Sequence, residues 1–145
     1  MKRGYWGIGI YGCKTSENIG TLWRSAHAFG ADFIFTVGHR YRKQASDTTK
    51  AERHVPFFEF SSLDAFENGK PRGCATVCVE LSPTSRPLVA FNHPERAAYI
   101  LGAEDYGLPE AYMVGKQRVM VEAAARCLNV AVAGSIVAWA RVVAA

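Results

Sequence analysis

Asn18, Gly20 and Arg24 combine residue types that can bind an anion. Gly20 lets another backbone or a ligand approach closely, and its predicted place is the first turn of a helix. Arg24 follows one turn later, where its guanidinium can hold a phosphate or a carboxylate with two parallel hydrogen bonds. The alternative is a surface helix with a solvated arginine, because single charges on helices contribute little.

Residues 18–30 predict the helix that carries these three side chains. Asn18 can cap its first turn by accepting a backbone N–H bond, and Gly30 supplies the left-handed residue at which helices commonly stop. The apolar residues recur at helical spacing and form one face: Leu22, Ala26 and Phe29.

A second polar stretch, residues 102–107, follows an apolar strand predicted over 97–101. Two glycines there bracket Glu104 and Asp105. Because ligands of open parallel sheets bind beyond the carboxyl ends of the strands, this segment is a candidate binding loop. The alternative is an ordinary turn.

The last helix, predicted over 128–143, is apolar nearly all round. Such a helix must be buried on most sides, which favours a partner surface and most simply a homodimer. Asn129 in its first turn is the exceptional polar residue. It either bonds the helix start or belongs to a site.

The order of the elements predicts an α/β fold with a parallel sheet. A strand over 5–11, the helix over 18–30 and a strand over 33–37 form a βαβ unit. The remaining strands are predicted over 56–60, 74–81, 97–101 and 117–121. The remaining helices are predicted over 61–66, 108–115 and 128–143, while 39–54 and 82–93 are expected to be irregular.

The first strand contains Gly7-x-Gly9-x-x-Gly12, the glycine pattern of dinucleotide-binding folds. Asp32 follows at the spacing expected of the ribose-binding acid. The context argues against a dinucleotide site, because the glycines lie inside the strand and Asp32 precedes the second strand.

The segment 39–54 is basic and carries Tyr41 among its charges. Arginine and lysine interleaved with tyrosine suit phosphates and stacked bases, and the net charge of +4 favours a polyanion such as RNA. A solvated loop is the alternative. The candidate RNA-binding residues are Arg40, Arg42, Lys43, Lys50 and Arg53.

The 145 residues, 49% of them hydrophobic, are expected to form one domain over 1–145. The sequence shows no secretion signal and no uninterrupted apolar run of membrane-spanning length, so no membrane partner is expected. The four cysteines have no zinc-type spacing with the four histidines. We therefore expect reduced thiols, no metal site and a cytoplasmic protein.

Three motifs follow one another along the chain. They are Asn18-x-Gly20-x-x-x-Arg24-x-Ala26-x-x-Phe29-Gly30, Leu101-Gly102-x-Glu104-x-x-Gly107-Leu108 and Cys127-Leu128-Asn129-Val130-x-Val132-Ala133. In this order and spacing they resemble the motifs of the SpoU (TrmH-like) branch of the SPOUT methyltransferases. The resemblance covers nearly the whole chain and leaves no separate RNA-binding extension.

The resemblance implies a parallel-sheet SPOUT fold with helices on both faces and a C-terminal trefoil knot. It also implies S-adenosylmethionine as cofactor, an obligate homodimer and methylation of a ribose 2′-hydroxyl in tRNA or rRNA, with tRNA slightly favoured and no DNA expected. The alternative function is a catalytically silent RNA-binding module on the same fold. This alternative rests on departures in the third motif, where Met120, Ala123, Cys127 and Ala131 replace the family's usual Pro, Gly, Ser and Ser.

By resemblance, Arg24 matches the catalytic arginine of the family. The polar residues expected around it are Asn18, Glu104 and Asn129. The residues expected to enclose the cofactor are Leu81, Gly102, Val119, Cys127 and Leu128. Because a guanidinium keeps its proton in proteins, we expect Arg24 to anchor a phosphate and to stabilise developing alkoxide charge.

Overall fold

The computed structural model describes residues 4–13, 15–38, 53–102, 107–124 and 128–144. Its strands are β1 (Tyr5–Tyr11), β2 (Phe33–Val37), β3 (Phe57–Phe60), β4 (Ala75–Val79), β5 (Arg86–Pro87), β6 (Arg96–Leu101) and β7 (Gln117–Met120). Its helices are α1 (Ser16–Ala28), α2 (Leu63–Gly69), α3 (Glu110–Met113) and α4 (Val130–Val143), with a 3₁₀ turn at Leu88–Ala90.

The seven strands form one parallel sheet in the order β3-β2-β1-β6-β4-β7-β5. One face packs against α1 and α4, whose buried side chains include Trp23 and Val137. The other face packs against α2 and α3 through Phe66 and Met113. The predicted α/β fold with helices on both faces of a parallel sheet is therefore confirmed.

The glycines of the first strand serve packing. Gly7 and Gly9 of β1 are in register with Phe33 and Phe35 of β2. A Cβ atom at either glycine would lie 2.4 Å from a carbon of the facing ring. The Gly7-x-Gly9 pattern thus makes room for two aromatic rings. The side chain of Asp32 accepts a hydrogen bond from the backbone N–H of Trp6 at 2.9 Å, which ties it to the start of the same strand.

The start of α1 differs from the prediction. The helix begins at Ser16, and Thr15 is its N-cap residue without a side-chain cap bond. Asn18 lies inside the first turn, and its backbone N–H donates to the carbonyl of Thr15. The prediction that Asn18 caps the helix was therefore wrong, and Gly20 is buried in the second turn. The predicted stop at Gly30 is confirmed, because that residue has a φ of 81°.

Other element boundaries shift by a few residues. The helix predicted over 128–143 begins at Val130, because Asn129 caps it. The helix predicted over 108–115 is one short turn, Glu110–Met113. The segment 82–93, expected to be irregular, holds β5 and the 3₁₀ turn.

On the α2 and α3 face, a group of polar side chains is hydrogen-bonded together around Glu67. The Glu67 carboxylate accepts from the Thr76 hydroxyl at 2.7 Å, from the Tyr112 hydroxyl at 2.5 Å and from the Lys70 ammonium at 2.9 Å. Burial alone would raise the pKa of Glu67, but these donors lower it below its ordinary value. The network joins α2, β4 and α3 and has a structural role.

In the described part of the chain, no helix combines the length and the apolar character needed to span a bilayer. The trefoil knot stays a prediction, because the chain path through 103–106 and 125–127 lies outside the described residues.

Candidate active site

Three of the predicted cofactor residues meet at the carboxyl edge of the sheet. Val79, the last residue of β4, is in register with Leu101 of β6 and with Val119 of β7. Gly102 and Leu81 follow directly from these strand ends, and the backbone N–H of Glu80 donates to the carbonyl of Val119 at 3.0 Å. The topology thus brings together residues that lie up to 38 positions apart in sequence.

The base of the loop over 102–107 is tightly closed. A Cβ atom on Gly102 would lie 2.5 Å from the carbonyl carbon of Gly107 and from the backbone nitrogen of Leu108. Gly107 has a φ of 64°, and a Cβ there would lie 2.2 Å from an oxygen of Glu80. Gly102 is therefore required by space, because the clash is with backbone atoms, and Gly107 is required by its conformation.

Glu80 holds this loop from the neighbouring strand. Its Oε2 atom accepts a hydrogen bond from the backbone N–H of Leu108 at 2.9 Å. Burial raises the pKa of the Glu80 carboxyl above its ordinary value, and the bond from Leu108 opposes that rise only in part. The prediction from sequence missed Glu80, although an acid directly after a buried parallel strand is a recognisable signal.

The first and third motifs are joined by their asparagines. The Asn129 side-chain oxygen accepts from the backbone N–H groups of Ala131 at 2.9 Å and Val132 at 3.2 Å, which caps α4. Its Nδ2 atom donates to Oδ1 of Asn18 at 3.0 Å. The first alternative, that Asn129 bonds the helix start, is therefore confirmed, while its membership of a site stays a prediction.

Close packing of α1 against α4 fixes this junction. A Cβ on Gly134 would lie 2.6 Å from Leu22, so the missing side chain lets the helices approach. At the next residue of α4, the Ser135 hydroxyl is hydrogen-bonded to the hydroxyl of Ser25 at 2.7 Å. Both helices begin shortly after a strand ends, so their starts lie at the carboxyl edge of the sheet.

Arg24 projects from α1 into solvent. Its side chain is exposed, and within the described residues it makes no hydrogen bond or ion pair. A guanidinium in this state keeps all five donors available to an anion. Asn18 lies six residues earlier in the same helix and bonds Asn129 at the start of α4, so the first and third motifs share one helix pair.

Apolar surface is exposed at the same edge. Leu81 is 50% exposed and Leu128 is 38% exposed, so both offer apolar surface to a ligand. The side chain of Val119 is fully buried, so this residue presents backbone rather than side chain to the edge. Exposed leucines beside a glycine-lined turn suit a flat apolar ligand group.

Several predicted residues lie outside the described part of the chain. They are Glu104 and Cys127 of the motifs and the basic residues Arg40, Arg42, Lys43 and Lys50. Of the predicted RNA-binding set, Arg53 is described and exposed. The ring of its neighbour His54 stacks on His27 of α1 with centroids 4.8 Å apart, which places Arg53 near the end of α1.

Solved structures of low sequence identity share the fold. An AdoMet-bound rRNA methyltransferase from Sinorhizobium meliloti superposes with a TM-score of 0.82 at 21% identity over 97% of this chain. The SpoU methyltransferase AviRb from Streptomyces viridochromogenes, in complex with AdoMet, gives 0.80 at 20% identity over 98%. A structure from a study of 2-OH methylation of C/U34 on tRNA gives 0.79 at 22% identity over 95%.

The chain spans 56% of the Sinorhizobium protein, 61% of AviRb and 94% of the third structure. No curated protein sequence matches the chain at a significant level. The family model of the SpoU rRNA Methylase family matches residues 7–139, which include all three motifs and every described residue of the candidate site. The chain therefore belongs to the SpoU rRNA Methylase family.

Proposed function

We propose that this protein transfers a methyl group from S-adenosylmethionine to a ribose 2′-hydroxyl of RNA. The observation that carries the proposal is the hydrogen bond between Asn129 and Asn18, which unites the first and third motifs. That bond lies at the carboxyl edge of a parallel sheet, where ligands of such sheets bind. Membership of the family supports the reaction class.

The residues at this edge fit the proposed cofactor. Leu81 and Leu128 offer exposed apolar surface for its adenine and ribose. Gly102 lets the base of the adjoining loop close against Gly107 and Leu108. Cys127 belongs to the same proposed set by its place in the third motif. The cofactor supplies an electrophilic sulfonium methyl when bound, so the chain must mainly bind and orient the acceptor.

Arg24 is the residue proposed to act on the RNA. Its exposed guanidinium binds a phosphate beside the reacting ribose and stabilises the negative charge that develops on the 2′-oxygen as its proton passes to solvent water. Asn18 and Asn129 fix the start of the helix pair that carries Arg24. Glu104 is proposed to orient these neighbours from the second motif.

The basic segment is proposed to hold the rest of the RNA. Arg53 stands exposed beside the end of α1, and Arg40, Arg42, Lys43 and Lys50 precede it in sequence. The fold shared with the structure studied for 2-OH methylation on tRNA supports tRNA as the first substrate to test. Ribosomal RNA is the second substrate to test. A reaction on either RNA favours a cytoplasmic location for the protein.

A homodimer is proposed from the surface of α4. Val132, Trp139 and Val143 are 46%, 53% and 47% exposed, and Ile136 lies between them on the same helix face. An apolar stripe at positions i, i+4, i+7 and i+11 is typical of a helix that packs against a partner. Sedimentation analysis of wild type and of Trp139→Glu tests this, and a dimer unaffected by the substitution would place the interface elsewhere.

Methyl transfer is tested with labelled S-adenosylmethionine and, separately, tRNA and rRNA from a strain lacking the gene. After alkaline hydrolysis, we expect the label in alkali-resistant dinucleotides, because a 2′-O-methyl group blocks cleavage of the next phosphodiester. Label in ordinary mononucleotides would mean base methylation and would contradict the proposal. A protein that does not bind S-adenosylmethionine by calorimetry would be the silent RNA-binding module instead.

A further inference from the structure

A pocket of about 340 Å³ opens at the β5 edge of the sheet, apart from the candidate active site. Its lining residues are Thr84, Arg86, Phe91, Asn92, Gln117 and Arg118. The pocket exists because β5 is short and pairs only with Val119 and Met120 of β7. The first two residues of β7 therefore have no strand of the described chain beside them on this side.

The two arginines of the pocket differ in how they are bonded. Arg118 donates to both carboxylate oxygens of Glu110, at 2.7 and 3.2 Å, and to the Thr84 hydroxyl at 3.0 Å. Its charge is balanced and its guanidinium is held in place. Arg86 is exposed, and its side chain makes no hydrogen bond or ion pair with the described residues. Arg86 is thus the cation of the pocket that is open to an anionic ligand.

The other lining residues offer a ring and two amides. Phe91 is half-buried against the core, and its ring lies edge-on to His93 at 5.1 Å, which fixes its orientation. Asn92 and Gln117 are exposed, and each amide carries donors and an acceptor. A simple anion would need only the cation. An aromatic ring, two amides and a cation together match the base, the base edge and the phosphate of an unstacked nucleotide.

We propose that this pocket holds one nucleotide of the RNA strand, other than the nucleotide that is methylated. Arg86 binds its phosphate, Phe91 provides the surface for its base, and Asn92 and Gln117 bond the base edge. The volume of the pocket is at the lower end of the range for small-ligand sites, which suits a single nucleotide. The inference rests on the proposed function, since it assigns the pocket to the same RNA substrate.

The pocket is tested first without RNA or methyl transfer. Uridine 3′,5′-bisphosphate is titrated into the full chain while NMR follows the side-chain amide signals of Asn92 and Gln117. We expect saturable shifts in wild type, none in Arg86→Glu, and wild-type behaviour in Arg72→Glu, a matched change at another exposed arginine. The absence of saturable shifts in wild type, or equal shifts in Arg86→Glu, would overturn the proposal.

A measurement of RNA binding then shows whether the ligand of the pocket is an RNA strand or a free nucleotide. For the RNA that the wild type methylates, we expect Arg86→Glu to weaken binding about tenfold and to reduce the salt dependence by about one phosphate contact. Affinity for S-adenosylmethionine should not change in this variant. If the mononucleotide binds but RNA affinity is unaffected, the pocket serves a free nucleotide and the assignment to the RNA strand is wrong. Failure of the wild type to bind S-adenosylmethionine would contradict the proposed function. The mononucleotide titration would still show whether the pocket binds a nucleotide.

Discussion

Two arginines on the packed helices α1 and α4 differ in their surroundings. Arg141 is 2% exposed and donates to the carbonyls of Pro94 and Glu95 and to the hydroxyl of Tyr99. Arg24 is exposed and makes no bond within the described residues. We call the surroundings of Arg141 the closed end of the helix pair, and Asn18, Arg24 and Asn129 the open end.

The closed end is built to fix α4 to the loop before β6. The Tyr99 hydroxyl that accepts from Arg141 is also hydrogen-bonded to Nδ1 of His93 at 2.7 Å, and burial raises the pKa of that hydroxyl. The bonds that Arg141 donates engage both terminal nitrogens of its guanidinium within the fold. At the open end the Arg24 side chain makes no such bond with the described residues, so bonding within the fold distinguishes the structural arginine Arg141 from Arg24, for which a role in methyl transfer is proposed.

The largest expected effect comes from Arg24→Ala. We expect methyl transfer to fall at least 100-fold, since one charge-stabilising donor contributes about 3 kcal/mol to a transition state. The free energy of unfolding should change by less than about 0.5 kcal/mol, as for other exposed residues. Arg24→Lys is the matched control that keeps the charge but loses the fork, and near-normal turnover by it would contradict the role of the fork.

Arg141→Met should have the reverse effect. The substitution leaves two carbonyls and a buried hydroxyl without their charged donor, so we expect a loss of about 2–4 kcal/mol of stability in urea unfolding. The specific activity of the fraction that remains folded should stay near that of wild type. A loss below about 1 kcal/mol would show that these bonds are replaceable by packing.

Asn129 allows the two roles of the open end to be separated. Asn129→Ala removes the cap of α4 and should cost about 1 kcal/mol of stability. Asn129→Asp keeps an accepting oxygen for the cap but cannot donate to Asn18, so stability should hold while methyl transfer falls about tenfold. Thermal unfolding measures the effect on stability and initial rates measure the effect on methyl transfer. Full activity in Asn129→Asp would show that the bond to Asn18 does not contribute to the reaction.

The smallest expected effect concerns Glu80 and pH. Because burial raises its pKa, the stability contributed by its protonation is present below the ordinary carboxyl pKa and is lost as pH rises through the raised value. The non-titrating Glu80→Gln should therefore gain stability relative to wild type as pH rises from about 4 to 7, by less than about 1 kcal/mol. Glu80→Ala, which leaves the N–H of Leu108 without its acceptor, should be less stable than wild type across that range. If the difference in the free energy of unfolding between Glu80→Gln and wild type does not vary with pH, the raised pKa of Glu80 is contradicted.

The comparison of the two ends also shows what sequence could predict. The βαβ pattern, the parallel sheet and the polar residues of the open end follow from periodicity, turn residues and motif spacing. The difference between Arg24 and Arg141 does not, because it depends on which carbonyls the fold brings within reach. Glu80 was missed because the predicted strand over 74–81 enclosed it, whereas β4 ends at Val79, and because its partner Leu108 is 28 residues away in sequence. The predicted cap at Asn18 lay three positions too late, because Thr15 and Asn18 are both residue types that cap helices and the local sequence does not choose between them.

The central claim is that the open end and the adjoining sheet edge form the methyl-transfer site. It is tested most directly by adding S-adenosylmethionine to the isotopically labelled protein and mapping the backbone amide shifts by NMR. We expect the shifts to cluster at Leu81, Gly102 and Leu128, with Tyr99 and Arg141 of the closed end unchanged. Shifts that cluster at Gly7 and Gly9 or at the closed end, or no shifts at saturating cofactor, would contradict the account.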